Sequence, residues 1–120
     1  MIIDNTTNRF KISIVHKIIE LYKLFNECLK SFPRFEKYTL GQKIGNQITE
    51  SLILSLRATY SSKNEKLLMI KKVDEKIFIL KTLIRLAKEI KSLNIKKYII
   101  LEKELQEIGR MIGGWIRSIK

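Results

Sequence analysis

The stretch Phe32-Pro33-Arg34-Phe35-Glu36-Lys37-Tyr38-Thr39-Leu40-Gly41-Gln42 decides the fold, because it holds the only proline in 120 residues and the clearest break in helical patterning. Pro33 has no N–H to give a helix, and its ring drives Phe32 away from helical dihedrals, so a helix arriving from upstream must stop there. Thr39 stands three residues before Gln42, the T-x-x-Q form of a capping box, so a new helix is expected to start almost at once. Phe32, Phe35 and Tyr38 are expected to pin this corner to the core, with Arg34 and Lys37 in water.

Upstream, Val15, Ile18, Tyr22, Phe25 and Leu29 follow a 3-4-3-4 spacing, which predicts a first helix from Phe10 with these residues as its apolar stripe. Residues 1–9, polar from Asp4 onward, are expected to be a flexible N-terminus. Downstream, Leu40, Ile44, Ile48, Leu52 and Leu56 climb in steps of four along a second helix, with Ile53 widening the face. Gly41 and Gly45 lie on it, and each interior glycine costs about 1 kcal/mol of helix propensity relative to alanine. Either another backbone approaches closely there, or selection is absent.

Tyr60-Ser61-Ser62-Lys63 reads as a turn, and Ser62 with Glu65 as a second capping box. The third helix has the most regular pattern, Ile70, Val73, Ile77, Leu80, Ile84 and Ala87. Ile79 and Leu86 fall outside that seam, so the helix has a second apolar side, for a partner copy or for a wide core contact. Ser92-Leu93-Asn94 closes it and Asn94 can cap the next. The fourth runs through Tyr98, Leu101, Leu105, Ile108, Ile112, Trp115 and Ile119. Four helices joined by short turns predict an all-α, antiparallel up-down-up-down four-helix bundle, one domain over residues 10–120.

Charge is the loudest property: 24 Lys and Arg against 12 Asp and Glu, a formal net charge of +12. The excess is spread over every helix, so it belongs to the folded surface, and such a surface attracts polyanions, nucleic acid above all. No apolar run approaches the ~18 residues of a membrane span, and the first residues lack the zones of a signal peptide, so the protein is expected to be cytoplasmic. One cysteine and one histidine cannot assemble a usual zinc site, so neither metal nor cofactor is expected. His16 falls on a solvated flank, Cys28 reads as a packing residue, and no catalytic set converges. An enzyme is therefore not expected.

The candidate binding residues are cations. Lys81, Arg85 and Lys88 lie at i, i+4 and i+7 as one stripe on the third helix, with Lys71 upstream on the same side. Arg34, Lys37 and Lys43 cluster at the hinge, and Arg110 and Arg117 extend the set to the last helix. That helix also carries Gly109, Gly113 and Gly114, where a smooth groove would suit tight packing within or between subunits. Trp115 reads as a core or interface anchor.

Two motifs carry a resemblance. The hinge Phe32-Pro33-Arg34 followed by Tyr38-Thr39-Leu40-Gly41-Gln42-Lys43-Ile44, and the ending Glu107-Ile108-Gly109-Arg110-Met111-Ile112-Gly113-Gly114-Trp115, resemble the accessory variability determinant (Avd) proteins of diversity-generating retroelements. Leu83-Ile84-Arg85-Leu86-Ala87-Lys88 is similar to the same family, and the likeness spans Ile14 to Ser118. The resemblance implies a bundle that assembles into a basic homopentameric barrel, associates with the element's reverse transcriptase and binds RNA or DNA. In such a complex the polymerase copies a template repeat into mutagenised cDNA, and the accessory protein is not catalytic. The Phe-Pro hinge is also similar to that of proteins encoded in intervening sequences of bacterial 23S ribosomal RNA genes. Their second helix carries an Ile-Pro-Ser-Asn-type break; here the region is Gly45-Asn46-Gln47-Ile48-Thr49-Glu50-Ser51, without proline, so the retroelement branch fits better. The remaining alternative is a structural oligomer whose charge serves solubility.

Overall fold

The four expected helices form, and among the described residues a fifth helical segment, too short to cross the molecule, lies in the hinge. The computed structural model describes the backbone of residues 5–119 and the side chains of residues 14–119. Helices α1 (Asn5–Leu29), α3 (Leu40–Ala58), α4 (Lys63–Glu89) and α5 (Ile95–Ile119) form the bundle, and α2 (Arg34–Lys37) is a single turn inside the hinge. The first helix thus begins at Asn5, ahead of the Phe10 expected from its apolar spacing, and residues 1–4 lie outside the described residues. Around the bundle the order is α1, α3, α4, α5, each antiparallel to its neighbours, in a body 51 Å long and about 20 Å across its other axes (22 × 19 Å).

At the hinge, Pro33 is extended (φ −56°, ψ 148°), as its ring requires, and Lys37 N–H bonds back to its carbonyl at 3.0 Å to close the short turn. Thr39 does precede α3, but the expected T-x-x-Q box does not form: its hydroxyl donates to the Phe35 carbonyl at 3.0 Å. Thr39 has φ −116° and ψ −92°, outside the extended conformation usual for an N-cap. Phe32 is buried and meets Phe25 edge to face at 5.8 Å. Phe35 and Tyr38, expected in the core, are instead 73% and 70% exposed, because α2 turns them outward. The other two caps hold as read: Ser62 accepts from Glu65 N–H, and Asn94 Oδ1 accepts from Lys97 N–H at 2.8 Å.

The core seams of α4 and α5 are those expected, from Ile70 to Ala87 and from Leu101 to Ile119, with Tyr98 half-buried. Along α1 the seam is rotated by one position: Ile14, Ile18, Leu21, Phe25 and Cys28 are buried, whereas Val15 and Leu29 are half-buried and Tyr22 is exposed. Along α3 the seam leaves the leucines after Ile48 and continues through Ser51, Ser55 and Ala58, while Ile53 and Leu56 face solvent. The two serine hydroxyls donate to the carbonyls of Gln47 and Ser51, both at 2.8 Å, so burial leaves them satisfied. Small residues at those positions let α3 sit close to its neighbours.

Candidate nucleic-acid interface

The position of each cation follows from which neighbour its helix side meets. On one side of α4, Lys76 reaches Glu50 of α3 at 2.9 Å. On the other side, Lys81 Nζ lies over Gly109 of α5, and the Lys88 ammonium sits 4.6 Å from the Tyr98 ring centroid. Arg85, between Lys81 and Lys88 in the stripe, is exposed, and Lys71 is exposed further toward the other end. Arg110 and Arg117, seven residues apart and exposed, run along the outward face of α5. These six cations span the outward surface of α4 and α5, the α4–α5 edge, with Lys81 and Lys88 nearest the seam between the two helices.

Arg34, Lys37 and Lys43 are not part of that edge; they sit where α1 gives way to α3. Lys97 Nζ reaches Ser31 Oγ at 3.0 Å, which places the hinge at the same end of the bundle as the α4–α5 turn. Lys88 and the hinge cluster thus share one end, and Lys71 and Arg117 lie toward the other. The candidate residues form a strip and an end cluster rather than one patch.

Most of these charges have no counter-charge among the described residues. The described ion pairs use Lys17, Lys23, Lys30, Lys76 and Arg110, so among the described residues only Arg110 of the candidate set has a carboxylate partner. Arg110 Nε donates to Glu107 Oε2 at 3.1 Å, and this bond holds the Glu107 carboxyl below the usual carboxylate range. Of the other candidate cations, Arg34, Lys43, Lys71, Arg85 and Arg117 are exposed, and Lys37, Lys81 and Lys88 are half-buried.

Gly109 and Gly113 of α5 do not receive the backbone of another helix of the same chain. The nearest atom to a Cβ added at Gly109 is Lys81 Nζ at 3.8 Å, and at Gly113 it is Arg117 Nη1 at 3.5 Å, so cationic side chains lie across both. Trp115 is fully buried, a core anchor. His16 is exposed, as its spacing indicated. Cys28 is buried, and burial pushes its thiol above the ordinary range against the opposing field of Lys97, the reverse of what an activated nucleophile needs. Among the described residues no group of three or more His, Cys, Asp and Glu is placed to hold a metal, and no helix is long and apolar enough to cross a membrane.

The second apolar side of α4 read from Ile79 and Leu86 is exposed rather than a wide core contact, with Leu68, Ile90 and Phe78, 72% exposed, also open to solvent. One surface feature escaped sequence reasoning. A cleft of about 340 Å³ opens between α1 and α3 beside the hinge. Its sequence signal was the pairing of Tyr22 with Asn26 at i, i+4 and the stripe Gln42, Gly45, Asn46 and Thr49 at i, i+3, i+4 and i+7. That signal is hidden when Tyr22 and Tyr38 are assigned to the core.

A family model described as bAvd-like matches residues 12–119 of the chain. No curated protein matches it.

Proposed function

The chain belongs to the bAvd-like family, and we propose that it serves a diversity-generating retroelement as a non-catalytic accessory protein that binds nucleic acid and the element's reverse transcriptase through the α4–α5 edge. The observation that carries this reading is the set of unneutralised cations there: Lys71, Lys81, Arg85, Lys88 and Arg117 have no carboxylate partner among the described residues. A surface kept soluble by charge has no need of a two-to-one excess of cations over the chain. Phosphates meeting that edge would release counterions from the nucleic acid, the main source of affinity in such contacts.

The outward apolar side of α4 supports assembly of several copies, with a homopentameric barrel as the form the family resemblance implies. Leu68, Ile79, Leu86 and Ile90 would be covered by a neighbouring subunit, while the basic edge stays open. Template RNA or its cDNA would lie along that edge, in the cytoplasm of a bacterial host. The test is capture of the reverse transcriptase encoded beside this gene. Wild-type protein should retain the polymerase and RNA on a column, and the variant K81E/R85E/K88E should retain neither with its helicity unchanged. Unaltered capture by the variant would remove the edge from the function.

A further inference from the structure

The cleft between α1 and α3 is built unlike a helix–helix seam. Its floor lacks a side chain at Gly45, where an added Cβ would meet nothing within 4 Å. Tyr22 and Tyr38 line it while remaining 42% and 70% exposed, so both leave aromatic surface free for a ligand. Asn26, Gln42 and Asn46 bring three side-chain amides to the same space. Lys37 is the one charged residue in the lining, and no carboxylate is among them. Arg34 and Lys43 flank it in the sequence of the hinge.

Flat aromatic faces, amide donors and acceptors, and a cation at the rim together match one ligand chemistry. An unpaired nucleobase stacks on an aromatic ring, pairs its edge with amides and leaves its phosphate outside. The cleft's volume of about 340 Å³ falls at the small end of ligand pockets, which begin near 300 Å³. We propose that this cleft holds a single unstacked base of a single-stranded nucleic acid, with Tyr38 as the stacking platform, Asn26, Gln42 and Asn46 reading the base edge, and Lys37 meeting the adjoining phosphate. The hinge cations then have a role separate from the α4–α5 edge: they anchor the strand where one base leaves it. This inference rests on the nucleic-acid reading above.

The test compares a single-stranded RNA oligonucleotide with an abasic strand of equal length and charge, on wild-type protein and on Tyr38→Ala and Gly45→Leu variants. Tyr38 is mostly exposed and Gly45 has open space, so both variants keep the core, which circular dichroism checks. Wild type should prefer the base-bearing strand by roughly tenfold, the scale of one stacked base. Both variants should lose that preference while keeping the same salt dependence, and 2-aminopurine in the strand should be quenched by wild type alone. Equal affinity for both strands would overturn the cleft while leaving charge-driven binding intact. Binding of neither strand would overturn the functional reading and the cleft with it. Variants that keep the base preference but lose the polymerase would assign the cleft to a protein side chain and overturn it as a base site.

Discussion

Gly41 is closed against Leu29: a Cβ placed on the glycine would sit 2.5 Å from Leu29 Cδ1 and 3.0 Å from the Glu36 carbonyl oxygen. This is where α3 passes under the end of α1 and the hinge turn, so a side chain there would displace the Leu29 methyl and crowd the Glu36 backbone carbonyl. Gly45, one turn on, has no such neighbour. Gly45→Ala should therefore stabilise the protein by up to about 1 kcal/mol through helix propensity. Gly41→Ala should destabilise it by about 1 kcal/mol, because overpacking of roughly 1–3 kcal/mol exceeds the same gain. Urea denaturation of the two variants should move in opposite directions.

Lys91 has φ 64°, the left-handed region that L side chains avoid, and it ends α4 in the role usually given to glycine. Ser92 N–H bonds to the Ala87 carbonyl at 3.0 Å and Lys91 N–H to the Lys88 carbonyl at 3.0 Å, the paired bonds of a Schellman ending. Lys91→Gly should raise stability by about 1 kcal/mol, the strain the lysine carries there. Thermal melting should show an upward shift.

Cys28 provides a pH dependence whose sign follows from its burial. The folded thiol titrates above its ordinary value of 9.0, with desolvation the main cause, so on raising the pH the unfolded chain loses this proton first. The unfolded state then binds fewer protons than the folded one, and stability falls as pH rises. The contribution is fully present below about pH 9, the unfolded value, and is lost as pH rises from there through the raised folded value. A Cys28→Ala variant should show a shallower loss of stability across that alkaline range. The native thiol should also resist alkylation until the protein is unfolded.

Ser55 tests the close approach of α3. Ser55→Ala should change stability little, because the hydroxyl bonds only to its own helix, at the Ser51 carbonyl. Ser55→Leu, which restores the apolar pattern, should cost roughly 1–3 kcal/mol by overpacking a fully buried position. The expectation that core positions want larger apolar residues would be reversed here.

The bundle was legible from spacing where one apolar stripe stood alone, as in Ile70-Val73-Ile77-Leu80-Ile84-Ala87 of α4. In α1 the apolar positions come in adjacent pairs, Ile14 with Val15, Ile18 with Ile19 and Cys28 with Leu29, so two stripes one residue apart satisfy the same spacing. Only packing against α3 and α5 chooses between them. In α3 the lower seam is carried by serines, which no hydrophobic pattern reveals. The cations were legible as residue types, but their absence of partners is a property of three dimensions. The cleft joins Tyr22 to residues near Gly45 across the hinge, a juxtaposition that no local pattern contains.

The most direct measurement is the salt dependence of single-stranded RNA binding, by fluorescence anisotropy, for wild type and for K81E/R85E/K88E. Wild-type affinity should fall steeply with salt, and the variant should bind more weakly with a slope smaller by roughly 2 to 3 log units per log unit, three phosphate contacts' worth. A control reversal of Lys23 and Lys30, which already pair with Glu20 and Glu27, should leave that slope nearly unchanged. A salt-independent affinity, or equal slopes for wild type and the α4 variant, would contradict a nucleic-acid role for the α4–α5 edge.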